Sequence, residues 1–263
     1  MDEKILKSAF TKSAIHRYTC PYCYKGELRL EGDFNSKETV ASKSQHNEEY
    51  WDVEFVQLIF SCTLKCVSCG ELVFVVGDGS VEEEYYEQPD GDWDRDYVEY
   101  YRPSFFHPAL QIIDLPAAAP ENVVSPLRTA FASYFSSPAS CCNSIRAAAE
   151  EILTTLGVPT QPETGEGYLS FGRRIQLLGE ENQSVRALFD AVRWLGNYGS
   201  HPGTQVEFQD ALNALEIMEL LLEEVYSDRK RKIQELAAAI NSRKGPVSRL
   251  PRTGSVQPPP TQT

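Results

Sequence analysis

The sequence predicts an α+β protein, a small β-rich N-terminal part followed by an all-α C-terminal part. Three observations carry that expectation. Two Cys-x-x-Cys pairs fall within the first 70 residues, among short alternating and β-branched runs. A stretch holding Pro103, Pro108, Pro116, Pro120 and three consecutive alanines follows. From Glu121 onward apolar residues recur at helical spacing.

In chain order, residues 1–101 read as the β domain. Residues 51–60 alternate in part, 71–76 form a β-branched and aromatic run, and the polar residues 35–49 between them read as a loop. Residues 102–120 read as a linker and 121–241 as the helical bundle. Residues 242–263, rich in Pro, Ser and Arg, read as a disordered tail. Ser137-Pro138 opens a helix, with Ser as N-cap and Pro in the first turn, and Gly157 closes it. Residues 169–178 predict a short helix, and Val185, Leu188, Phe189, Val192 and Leu195 mark another. Thr204-Gln205-Val206-Glu207 matches a capping box that opens a long helix, which the basic residues 229–241 prolong. Met1-Asp2-Glu3-Lys4 lacks a secretory pattern and no apolar run approaches a membrane span, so a cytoplasmic location is expected.

In that compartment seven cysteines point to metal ligation before disulfides. Cys20-Pro-Tyr-Cys23 and Cys66-Val-Ser-Cys69-Gly70 are two knuckles, each aiming two thiolates at one tetrahedral ion, and an inserted hairpin and loop can absorb the spacing between them. The pattern resembles zinc ribbons and implies a structural Zn2+ with no open position for a catalytic water. A redox pair is the rival reading. Cys62 is either a spare ligand or a buried neighbour, Cys141-Cys142 places at least one cysteine in the core, and His46 falls in a polar loop.

The net charge is -13 and uneven: residues 78–99 hold ten acids against Arg95 alone, whereas 228–263 hold eight Lys/Arg against two acids. Broad attraction to nucleic acid is not expected from that total, although a local basic site is compatible with it. The acidic segment interleaves Tyr85, Tyr86, Trp93, Tyr97, Tyr100 and Tyr101. It reads first as a solvated hairpin turned by Pro89-Asp90-Gly91. The other readings are a docking strip over 82–101 for a protein partner, a shield over residues 229–232, and calcium binding around Asp90, Asp92, Asp94 and Asp96 without the EF-hand spacing.

The most informative stretch is Arg193-Trp-Leu-Gly196-Asn197-Tyr-Gly199-Ser-His201-Pro, preceded by Ser144-Ile-Arg146-Ala-Ala-Ala-Glu150. Over residues 115–225 the chain resembles the domain-of-unknown-function family 4145, with Arg146, Glu150, Gly196 and Gly199 as motif positions. It is also similar to the wider HEPN group of helical bundles. That resemblance implies an all-α bundle, a homodimer, and RNA or another nucleic acid as target. Many HEPN proteins are metal-independent ribonucleases of defence systems.

Active HEPN enzymes show Arg, a polar residue and His, with four to six residues between Arg and His. Asn197 and His201 fit the last two, but the residue before Asn197 is Gly196, and Arg193 lies one turn earlier. The resemblance gives His201 the role of general base or acid on a ribose 2′-hydroxyl. Arg193 would stabilise the phosphorane-like charge, and Asn197 would orient His201 or a phosphate oxygen. The competing reading is a helix stop: Gly196, Asn197 and Gly199 tolerate φ > 0, His201 caps carbonyls, and Arg193 or Arg146 pairs with Glu150. The competing class of function is a non-catalytic protein-interaction or regulatory module with a structural zinc site.

Overall fold

The structure is a computed structural model describing residues 3–164, 167–199, 205–227 and 229–246. After a short helix α1 (Glu3–Lys7), four strands form an antiparallel meander. In order these are β1 (Leu28–Glu38), β2 (Gln57–Cys66), β3 (Leu72–Glu87) and β4 (Trp93–His107). The alternation in β2 sets its faces: Leu58, Phe60, Cys62, Leu64 and Cys66 are buried, while Ile59, Ser61 and Lys65 lie on the other side. On the inner face Phe34 stacks on Phe60 with centroids 5.1 Å apart, and Tyr101 meets Phe34 edge-on at 4.7 Å.

Two expectations need correction here. Residues 35–49 are not all loop. Residues 35–38 complete β1 opposite residues 58–61, and α2 (Val40–Ser44) follows, its N-cap Thr39 accepting from the Ser42 amide. The stretch reads as polar because β1 is an edge strand, with Phe34 its only buried residue after Leu28. Residues 102–120 are not a free linker either. β4 runs to His107, and Leu110, Ile112 and Ile113 are buried beyond it. Pro103 sits opposite Gly77 at a β-bulge, where a strand tolerates proline.

The helical part comprises α3 (Glu121–Tyr134), α4 (Pro138–Thr155), α5 (Phe171–Gln176), α6 (Gln183–Tyr198), α7 (Phe208–Tyr226) and α8 (Arg229–Arg243). The periodic apolar residues of α4 all face inward, and α4 packs against α3, α6 and α7. Ser137 caps α4 with Pro138 in its first turn, and Gly157 beyond its end has φ 79°. Thr204 lies outside the described residues. The capping box that opens α7 is formed instead by Glu207 and Asp210, whose carboxylate accepts from the Glu207 amide at 3.0 Å. α8 does not prolong α7, because Ser227 is extended (φ -90°, ψ 125°) and ends that helix. The tail beyond residue 246 lies outside the described residues.

Arg174 on α5 is buried, a position sequence reasoning did not single out. Its guanidinium donates to the carbonyls of Glu150 (3.0 Å), Val158 (3.2 Å) and Pro159 (3.2 Å) and to the Thr154 hydroxyl (2.8 Å). It thereby ties α5 to the last turns of α4 and to the loop that follows them. The sheet and the helices share one continuous apolar core, joined where Phe106 of β4 meets Phe135 (4.8 Å) and Tyr18 (4.9 Å). Among the described residues no helix is long and apolar enough to cross a membrane.

Candidate functional site

Antiparallel pairing of β1 with β2 explains the long spacing between the cysteine pairs. Leu28 at the start of β1 lies opposite Cys66 at the end of β2, so the hairpin brings the knuckle before it to the knuckle after it. The sulfurs of Cys20, Cys23, Cys66 and Cys69 all lie within 4.8 Å of one another, and the Cys20–Cys69 and Cys23–Cys66 separations are both 3.7 Å. Such a cluster can hold one metal ion.

Each knuckle closes through an amide beyond its second cysteine. Tyr24 N donates to Cys20 O and Gly70 N to Cys66 O, both at 3.0 Å. Both turn residues have positive φ, 55° and 80°, the conformation glycine adopts without cost. Amides also face the sulfurs: Tyr22 N to Cys20 (3.4 Å), Gly26 N to Cys23 (3.3 Å) and Ser68 N to Cys66 (3.4 Å). The amides of Lys25 and Gly26 lower the Cys23 thiol to about 6, whereas burial and the neighbouring sulfurs raise Cys69 to about 12, so the first thiolate of the cluster sits at Cys23. A Cβ on Gly26 would lie 2.3 Å from the Cys66 sulfur, so only glycine fits between the knuckles. Sequence reasoning missed Gly26; its signal is a glycine three residues after Cys23.

Cys62 is not in the cluster. It is buried on the inner face of β2, and burial raises its thiol to about 11. Cys141 and Cys142 are both core residues, and burial raises both thiols, Cys142 to about 11. His46 keeps partial exposure and bonds Glu38 at 2.7 Å.

The acidic segment is a hairpin arm. β2 begins with Gln57 opposite Ser80, so β3 and β4 continue alone to the Glu87–Trp93 pair and turn through residues 88–92. One face carries Glu82, Glu84, Asp94 and Asp96 with Tyr86; the other carries Glu83, Glu87, Tyr85, Tyr97 and Trp93 around Arg95, which pairs with Glu83 at 2.5 Å. Among the described residues only the four cysteines form a metal-holding group, so Asp90, Asp92, Asp94 and Asp96 do not.

At the end of α6 the structure separates the two arginines. Arg193 lies 2.9 Å from Asp190 and packs over the Trp194 ring at 4.4 Å, with no ion pair to Glu150. Gly172 makes room for it, since a Cβ there would lie 2.4 Å from the Arg193 guanidinium. Arg146 reaches the motif instead. From α4 it donates to Glu150 (3.1 Å) and, through Nη1, to Asn197 Oδ1 (2.6 Å), with its guanidinium 5.7 Å from the centroid of the Phe171 ring. Its aliphatic stem crosses α6 at Gly196, where a Cβ would come within 2.9 Å of it.

Gly196 and Asn197 are therefore inside the helix, and Gly199 has φ -65°. The φ > 0 reading of these residues does not hold. Gly196 supplies space for Arg146, and Gly199 lets the Ala139 carbonyl approach to 3.3 Å of where its Cβ would be. His201, expected four residues after Asn197, lies outside the described residues.

Residues 128–243 match the family model of a domain of unknown function, DUF4145. That match takes in α4 and α6, hence Arg146, Glu150, Gly196, Asn197 and Gly199. Residues 8–106 match a second domain of unknown function, DUF8608, which contains all four clustered cysteines and the sheet. No curated protein and no solved structure matches the chain.

Proposed function

We propose that this is a cytoplasmic zinc-ribbon and HEPN-like protein directed at RNA or another nucleic acid, an accessory or effector of a defence-type system that acts as a metal-independent endoribonuclease. The observation that carries the reading is the Arg146–Asn197 hydrogen bond over Gly196. It brings a guanidinium to the C-terminal end of α6, close in sequence to His201. In this reading Arg146 joins Arg193 as a phosphate-binding candidate, Asn197 is oriented by Arg146, and His201 takes the 2′-hydroxyl proton. The attacking 2′-oxygen displaces the 5′-oxygen, which takes a proton from the imidazolium or from water, and a cyclic phosphate is left. A two-fold homodimer would set two helix ends across one strand.

The four cysteines fit a structural Zn2+. Ligands at about 2.3 Å in a tetrahedron stand roughly 3.8 Å apart, close to the 3.7 Å sulfur separations. Four thiolates would complete the coordination, so the ion would stabilise the fold and leave the chemistry to the helical part.

The test incubates zinc-loaded protein with RNA, without added divalent metal, beside His201→Ala and Arg146→Ala variants. Cleavage to a cyclic phosphate by the wild type, lost in both variants, is the expected result. No cleavage by the folded wild-type dimer would remove the enzyme reading. The acidic arm favours the second reading, a non-catalytic interaction module whose docking strip takes a basic protein partner.

A further inference from the structure

The sheet has two apolar faces, and only one is covered. On the outer face Ile59, Phe74, Val76 and Phe105 are each at least 44% exposed. Strand register gathers them: Val76 pairs with Phe105, Phe74 with His107, and Ile59 lies one row away between Lys37 and Asp78. The rings of Phe105 and His107 are parallel within 6° at 6.3 Å. An open cleft of about 610 Å³ lies over this face, lined by Asn35, Lys37, Ile59, Ser61, Val76 and Ser104 among others.

The charge around the patch opposes that of the whole molecule. Arg29, Lys37, Lys65 and Arg102 occupy outward positions of the same rows. Three acids share the face or meet its cations, and each is engaged: Glu31 with Lys65 at 2.8 Å, Glu27 with Arg29 at 3.6 Å and Asp78 with the Ser104 hydroxyl at 2.9 Å. The face is thus net basic in a chain of net charge -13. Beyond Ser80 and Tyr100 the same surface becomes the acidic row of the arm, which repels phosphate and bounds the basic patch on that side.

We infer that this outer sheet face is a binding platform for single-stranded nucleic acid, with bases stacking on Phe74, Phe105 and His107 and phosphates meeting Lys37, Lys65 and Arg102. Exposed rings flanked by cations are what an unpaired strand needs, because every base offers a π-face and every linkage a negative charge. Four strands about 4.8 Å apart span roughly 14 Å, room for two or three nucleotides. The polar side chains of Asn35, Ser61 and Thr63 lie in the same rows and can meet base edges. The platform rests on the nucleic-acid reading only for its class of ligand; it is separate from the end of α6.

The experiment titrates a fluorescent 12-mer oligouridylate with the full zinc-loaded chain at several salt concentrations, followed by anisotropy. Binding that weakens with salt is expected. Phe74→Ala and Phe105→Ala should each weaken it about 5- to 150-fold, and Lys37→Glu should flatten the salt slope. These side chains are exposed, and circular dichroism checks that the variants keep the fold. Absence of binding, or binding indifferent to Phe74→Ala, overturns the platform. So does a self-associated chain that binds no oligomer and dissociates on Phe74→Asp, since the face would then be a contact between copies. Oligomer binding without cleavage supports the platform while removing the nuclease reading; cleavage with Phe74-independent binding does the reverse.

Discussion

Single side chains decide both candidate sites and the packing beside them, and four glycine or arginine positions test how. Gly26→Ala places a methyl group 2.3 Å from the Cys66 sulfur, so one knuckle must shift. Gly70→Ala meets open space and bears only the strain of φ 80°, about 1 kcal/mol. A chromogenic chelator should therefore withdraw the metal much faster from the Gly26 variant than from the Gly70 variant; equal rates would reject the packing argument. Gly196→Ala should push Arg146 away from Asn197 and cost about 1–3 kcal/mol in urea unfolding. Arg174→Met would leave the carbonyls of Val158 and Pro159 without their side-chain donor, for a loss of about 3 kcal/mol, read in the same titration. The remaining cysteines give a pH test. Cys62 and Cys142 are raised to about 11 by burial, so below that value they stay protonated and unreactive. In native protein at pH 8, alkylation should spare Cys62, Cys141 and Cys142, and it should reach the cluster only after chelation, beginning at Cys23.

At the scale of elements, the arm and the end of α6 carry different kinds of information. The arm is two strands that no third strand covers, and Tyr85 and Trp93 are among its exposed residues. Replacing residues 83–97 by a tight turn should leave the melting temperature within a few degrees of wild type. The same deletion should abolish pull-down of a basic peptide; retention of that peptide by the shortened protein would reject the docking strip. The segment was legible as a hairpin because its turn residues and alternating acids and aromatics are local. β1 was read only in part, since an edge strand shows one buried residue in its second half and otherwise looks like a loop. The α6 motif was legible as a motif but not as geometry. Its glycines look like helix-ending residues in one dimension, and only α4 crossing at Gly196 shows that they provide space.

For the whole molecule, the stretch after β4 couples sheet to helices. Leu110, Ile112 and Ile113 are buried, and Phe106 contacts Phe135. Phe106→Ala should cost about 3–5 kcal/mol. It should lower the unfolding midpoint followed by helical circular dichroism as well as that followed by the aromatic signal of the sheet; a shift in the sheet signal alone would mean the two parts unfold independently.

By itself the sequence determined the α+β division, the helical periodicities, the Ser137 cap and the identity of the four clustered cysteines. Each of these depends on neighbours in the chain or on a spacing that repeats. Tertiary structure alone decided that β1–β2 pairing joins the two knuckles, that Arg146 rather than Arg193 reaches Asn197, and that the former linker span supplies Leu110, Ile112 and Ile113 to the core. These are contacts between residues tens of positions apart. The Arg146 contact also depends on the room a missing Cβ leaves where α4 crosses α6 at Gly196, which no local pattern encodes.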